Sequence, residues 1–110
     1  MRPIARGEVW WVSLDPTQGA EIQKTRPCLV LTNDTLNQLR RTVVVVPYST
    51  SARIHPPITV AVTCQGRPAA AIIDQVRAVD KARLRSRVEV AAVEELARVE
   101  DALATILGLV

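Results

Sequence analysis

TVVVVPYST, residues 42–50, is the stretch whose reading decides the fold. Four consecutive valines lie between a threonine and a proline, a run of β-branched side chains that packs well on a pleated surface. Thr42 to Val46 is therefore predicted to be a strand, closed by Pro47. Everything on either side can be placed relative to it.

Toward the N-terminus the polar stretch NDTLNQLRR, residues 33–41, reads as a connection holding one helical turn. Before it, Pro27 to Thr32 carries the apolar run Cys28-Leu29-Val30-Leu31 and is predicted to be a buried strand, with Arg26 at its rim. Gly7 to Leu14 mixes β-branched and aromatic residues and stops at Asp15-Pro16, a strand followed by a turn signal. DPTQGAEIQKT, residues 15–25, keeps neither a strand nor a helix period and is read as a loop long enough to be functional.

Toward the C-terminus a loop from Tyr48 to Pro57 leads into Ile58-Thr59-Val60-Ala61-Val62-Thr63, whose period of two marks a half-buried strand. Gly66-Arg67-Pro68 turns the chain into Ala69–Ile73; Asp74-Gln75 and then Val76–Asp80 follow. Arg87–Val90 is predicted as a short strand. From Ala91 onward Leu96, Val99, Leu103, Ile106 and Val110 step by three and four, one face of an amphipathic helix that Gly108 can end. The expectation is a mainly β (α+β) single domain, residues 1–110: a small barrel of antiparallel strands with a C-terminal helix packed on it.

At 110 residues the chain can bury a core without staples, and with no Phe and one Tyr that core must be aliphatic. No apolar stretch approaches the roughly 20 residues of a membrane span, and no apolar segment follows Arg2 and Arg6 as a secretory signal requires. Cys28 and Cys64 sit in apolar or strand-like surroundings, so a reduced, buried, cytoplasmic pair is expected. Residues 1–88 hold 13 Lys/Arg against 6 Asp/Glu, whereas residues 89–110 hold one Arg against five acids. A basic body of this kind attracts polyanions.

The usual catalytic groups are scarce. The one His, His55, lies beside Pro56-Pro57 with no acidic neighbour and reads as a surface loop residue. Metal-ligand spacings, phosphate-binding glycine loops and serine-hydrolase elbows are absent from the sequence, so no cofactor is expected. What remains stands at strand ends: Arg26 before one strand, Ser49 and Thr50 after another, and Asp74, Gln75 and Arg77 within an apolar stretch. If the strand ending near Val46 and the strand beginning near Cys28 are antiparallel neighbours, Arg26 and Ser49 share a rim. An arginine that grips phosphate bidentately, with a hydroxyl beside it, suits phosphate chemistry. RNA brings its own nucleophile in the 2′-OH. By itself the arrangement is a weak signal: an arginine before a strand is usually a solvated surface charge, and Ser-Thr-Ser after a strand is usually a turn.

A resemblance adds to this reading. Gly7-Glu8-Val9-Trp10, Asp15-Pro16-Thr17-Gln18-Gly19-Ala20-Glu21, Arg26-Pro27 with Leu29-Val30-Leu31, Val43–Pro47 with Ser49-Thr50, and Asp74-Gln75-Val76-Arg77 with Val79-Asp80 occur in order. Glu94-Glu95-Leu96 and Leu107-Gly108-Leu109 complete the set. The chain resembles the MazF/PemK family of toxin endoribonucleases over nearly its whole length. The resemblance implies an SH3-like barrel of bent strands and a homodimer. It also implies metal-independent cleavage of single-stranded RNA to 2′,3′-cyclic phosphate and 5′-hydroxyl ends. It assigns catalysis to Arg26 with Ser49 or its neighbour Thr50, and RNA contacts to Glu21, Lys24, Asp74, Gln75 and Arg77. It further implies a cognate antitoxin whose acidic tail enters the RNA groove, and operator DNA reached only through that antitoxin. The competing expectation from another class is a non-catalytic barrel that binds nucleic acid or poisons a protein such as gyrase.

Overall fold

The structure is a computed structural model that describes residues 3–15, 19–20 and 24–110. Seven strands among these residues form one curled antiparallel sheet: β1 (Glu8–Ser13), β2 (Thr25–Val30), β3 (Thr42–Ser49), β4 (Thr59–Cys64), β5 (Arg67–Ile72), β6 (Arg77–Asp80) and β7 (Leu84–Val90). Two helices, α1 (Asp34–Leu39) and α2 (Val93–Ile106), complete the fold, with short 3₁₀ turns at Ile73–Gln75 and Lys81–Arg83. The strands lie in the order β4-β5-β3-β2-β1-β7, and β6 pairs with β3 as well. The mainly β barrel-like architecture expected from the sequence is the one found.

Successive side chains of a strand point to opposite faces, and the valine run supplies both faces of its strand. Val43 and Val45 enter one core with Trp10, Val12, Leu14, Cys28, Val30, Val79 and Leu84. Val46 and Tyr48 enter a second core with Leu29, Val60, Ala71 and Ile73, which α2 closes with Val99 and Ala102. Val43, Val45 and Val46 are almost wholly inaccessible, and each such burial stabilises the fold by about 1.5–3 kcal/mol. The two cores therefore hold β3 from both sides.

The strand does not stop at Pro47, as the sequence suggested, but runs on to Ser49. The reason is a change of partner. Along one edge β3 pairs with β6 from Thr42 to Val45, and with β5 from Tyr48 to Ser49. Pro47 lacks an N–H, and on that edge it falls in the gap between the two partners. The polar connection after β2 forms the six-residue helix α1, whose N-cap Asn33 accepts a hydrogen bond from the Leu36 amide at 2.9 Å. β7 starts at Leu84, three residues before the predicted strand.

Helix α2 buries Val99 and Ala102 and sets Leu96, Leu103 and Ile106 against the second core. It ends at Ile106, so Val110 leaves the apolar stripe and is 90 % exposed. Gly108 at φ 71° causes the stop: its N–H bonds to the Thr105 carbonyl at 3.1 Å, and the Leu109 N–H bonds to that of Ala104 at 2.8 Å. Those two bonds are the Schellman pattern that a left-handed residue permits.

At the far side of the sheet Glu8 organises a polar node. Its carboxylate accepts from the Ala5 amide at 2.8 Å, from the Trp10 indole at 3.0 Å and from the Arg87 guanidinium at 3.0 Å. Burial alone raises its pKa, but these hydrogen bonds and the Arg87 charge outweigh burial and hold the carboxyl below its ordinary value.

Candidate active site

The β2–β3 ladder places the site. Cys28, Leu29 and Val30 face Pro47, Val46 and Val45 in turn. Continued two residues further, the same register sets Arg26 across from Ser49. Both line one groove together with Trp11, Lys24, Thr50 and Arg67, in a cavity of about 720 Å³. β2 and β3 are antiparallel neighbours, and the two strand ends meet at one rim.

Each side chain reaches the groove for a local reason. Pro27 biases Arg26 toward extended backbone, as proline does to the residue before it, and Val12 of β1 pairs opposite Arg26. Lys24 adopts a left-handed backbone, φ 72°, with its N–H on the Asp15 carboxylate at 2.9 Å and its carbonyl accepting from Leu14 at 3.0 Å. These bonds close β1 onto β2. Ser49 is the last residue of β3; its Oγ accepts the Ser51 N–H at 3.2 Å and lies 3.2 Å from the Ser51 Oγ. Ser49 is buried and Thr50, one residue on, is exposed. The hydroxyl of Ser49 is accordingly the better fixed of the two.

Two buried groups lie close to the rim residues in sequence, Cys28 in the first core and Tyr48 in the groove lining. Burial pushes the Cys28 thiol up to about 12, even though the positive charges of Arg77 and Arg26 pull it down. Tyr48, in the floor, has a buried hydroxyl with no hydrogen-bond partner among the described residues; burial, then the charge of Glu95, raises its pKa. Neither group titrates near neutrality, so the groove's polar chemistry rests on its arginines, its lysine and the rim hydroxyls.

The predicted site residues divide. Arg26, Ser49, Thr50 and Lys24 come together. Asp74 and Gln75 lie in the 3₁₀ turn after β5, and Arg77 opens β6 opposite Val45; none of the three lines the groove. Glu21 lies outside the described residues. His55, in the loop before β4, is exposed and does not line the groove. Trp11, Gln65 and Arg67 line it without having been singled out from the sequence. A signal was present for one of them: Arg67-Pro68 repeats the Arg26-Pro27 dipeptide at the start of another strand. Among the described residues no group of three or more His, Cys, Asp or Glu could hold a metal ion.

Comparison with known proteins matches residues 5–107 to the family described as PemK-like, MazF-like toxin of type II toxin–antitoxin systems. The chain belongs to this family. It is 41 % identical over 91 residues to the endoribonuclease PemK of Escherichia coli, covering 78 % of this chain and 68 % of that protein. It is 32 % identical over 115 residues to the endoribonuclease MazF9 of Mycobacterium tuberculosis, covering 96 % and 98 %. A crystal structure of MazF from Deinococcus radiodurans superposes with a TM-score of 0.88 at 24 % identity, covering 98 % of this chain and 99 % of that one. An endoribonuclease from a mycobacterial species, solved in complex with its cognate antitoxin, superposes at 0.81, with 24 % identity and 97 % coverage of each chain. The structural likenesses establish the fold; the sequence matches establish membership of a toxin family whose curated relatives are endoribonucleases.

Proposed function

We propose that this chain is a cytoplasmic endoribonuclease toxin that cuts single-stranded RNA without a metal ion. The observation that carries the reading is the meeting of Arg26 and Ser49 at the rim of one groove. In the proposed reaction the RNA 2′-oxygen attacks the adjacent phosphorus. Its proton passes to water, the bond to the 5′-oxygen breaks, and that oxygen takes a proton from water as it leaves. The products are a 2′,3′-cyclic phosphate and a 5′-hydroxyl. Arg26 holds two phosphate oxygens and stabilises the charge that accumulates on them. Ser49, fixed by Ser51, orients the phosphate, with Thr50 at its flank. Lys24 adds positive charge at the groove, which favours the polyanion. By family pattern Glu21, Asp74, Gln75 and Arg77 belong to the longer RNA path.

The same groove suits the acidic tail of a cognate antitoxin, since a cation-lined cleft that accepts RNA accepts carboxylates too. The basic body of the sequence supports that assignment, with 13 Lys/Arg against 6 Asp/Glu over residues 1–88. The active form is a homodimer, and contact with operator DNA runs through the antitoxin.

The test is incubation of the purified chain with mixed-sequence single-stranded RNA in excess EDTA. Cleavage that persists and leaves cyclic-phosphate ends supports the proposal. Intact RNA at high enzyme excess overturns it and favours a barrel that only binds. Cleavage restored by a divalent cation overturns the metal-free step alone.

A further inference from the structure

The tip of the β4–β5 hairpin lines the same groove as Arg26, on the other side of β3 in the strand order, and nothing in the reaction described so far uses it. The hairpin closes on the pair Cys64↔Arg67, leaving Gln65 and Gly66 as a two-residue turn. Both have positive φ, 53° and 76°, the type I′ geometry that suits the twist of two antiparallel strands. Glycine meets that geometry without strain; glutamine at the first position does not. A long amide side chain therefore occupies a place where the local backbone alone favours Asn, Asp or Gly.

The turn is also anchored from a distance. The Gln65 N–H points at the carboxylate of Glu89, 3.1 Å from one oxygen and 3.3 Å from the other. Glu89 lies on β7, and β4 and β7 are the two ends of the strand order. One side chain thus ties the open ends of the curled sheet together at the groove wall. Just past the turn, Arg67 is exposed, lines the groove and precedes Pro68, repeating the Arg26-Pro27 arrangement on β2. No ion pair joins Arg67 to another described residue.

We propose that this hairpin tip is the groove's nucleotide-reading wall: Arg67 grips the phosphate next to the scissile one, Gln65 reads the edge of the base between them, and Glu89 is a positioning residue that holds the tip in place. The inference rests on the RNA-cleaving reading above and deepens it. Two arginines, each preset by a following proline, then flank one nucleotide, and an amide able both to donate and to accept sits between them. Arg26 serves the chemistry. Arg67 serves binding and register.

The test uses the full-length chain and a mixed-sequence RNA whose cleavage ends are sequenced, together with a matching oligonucleotide carrying 2′-deoxy sugars, which binds without reacting. Arg67→Ala is expected to raise KM at least 10-fold and to change kcat less than 3-fold. It should also flatten the salt dependence of binding by about the 0.7 logarithmic units that one phosphate contact contributes on a single strand. Gln65→Ala is expected to relax the cleaved sequence at one base position, and Glu89→Gln to blur the same position while thermal unfolding moves little. Loss of kcat at unchanged KM in Arg67→Ala overturns the binding role. An unchanged sequence profile in Gln65→Ala overturns the reading role. If Arg26→Ala abolishes cleavage while all three wall variants behave as wild type, the cleavage reading stands and this inference falls. A wild-type chain that leaves every RNA intact removes both.

Discussion

Arg26 on β2 and Ser49 on β3 occupy facing positions two residues beyond the Cys28↔Pro47 pair, and both line the same groove. Neither is held there by a long loop. Each continues a strand whose next apolar residues are fully buried, so the geometry of the pair is inherited from the core.

The first expectation concerns Arg26. Arg26→Ala should lower kcat by about 10²–10³, the equivalent of roughly 2.7–4 kcal/mol lost when one preorganised stabiliser of developing charge is removed. Arg26→Lys should recover little, because an ammonium cannot make the planar two-point contact. Single-turnover cleavage of a labelled RNA measures both; a lysine variant near wild-type rate would refute the bidentate role.

Ser49 and Thr50 separate by how firmly each is held. Ser49 is buried and hydrogen-bonded to Ser51, whereas Thr50 is exposed. Ser49→Ala should therefore cut kcat at least 10-fold with the fold intact by circular dichroism, and Thr50→Ala less. A reversed order would move the working hydroxyl to Thr50.

The Glu8 node predicts an acid limb of stability. Its carboxyl titrates below the ordinary value in the folded chain, held there by the bonds from Ala5, Trp10 and Arg87 against the opposing cost of burial. A depressed folded pKa gives stability that is complete above the unfolded pKa and is lost as pH falls through the folded one. Glu8→Ala should destabilise by about 1–3 kcal/mol at neutral pH, since it strands the Trp10 indole N–H. The deficit should shrink as pH falls below the ordinary carboxylate range. Urea unfolding across that range is the measurement; a constant deficit would show that packing, and not ionisation, dominates.

Cys28 should be inert. Its side chain is inaccessible and its thiol is pushed up to about 12 by burial, which outweighs the pull of Arg77 and Arg26. In the native chain at about pH 8, Cys28 should stay unlabelled by iodoacetamide over hours and react fully once unfolded, since the thiolate is the reactive form. Peptide mass spectrometry gives the answer directly.

The strands were legible because their composition left little choice. Val43–Val46 and Cys28–Val30 are short apolar runs that form strands, although β2 spans Thr25–Val30 and not the predicted Pro27–Thr32, and α2 shows its stripe through Leu96, Val99, Leu103 and Ile106. The continuation of β3 past Pro47 was not legible, because it depends on where β6 ends and β5 begins, a fact of partner exchange invisible along the chain. Arg26 and Ser49 could be paired from the register of antiparallel neighbours. Arg67 and Gln65 could not, since a turn read locally says nothing about which groove it walls. Glu89 was further out of reach: its partner lies 24 residues away.

The change of partners along β3 has a consequence for genetics. Val43 and Val45 root the strand in one core, Val46 and Tyr48 root it in the other, and Ser49, paired with Ala70, is the last residue of that lever. Slack introduced in either core displaces the same hydroxyl. Survivors selected for loss of toxicity should thus map to the interior valines and to α2 as often as to the groove, and their proteins should be folded, abundant and slow.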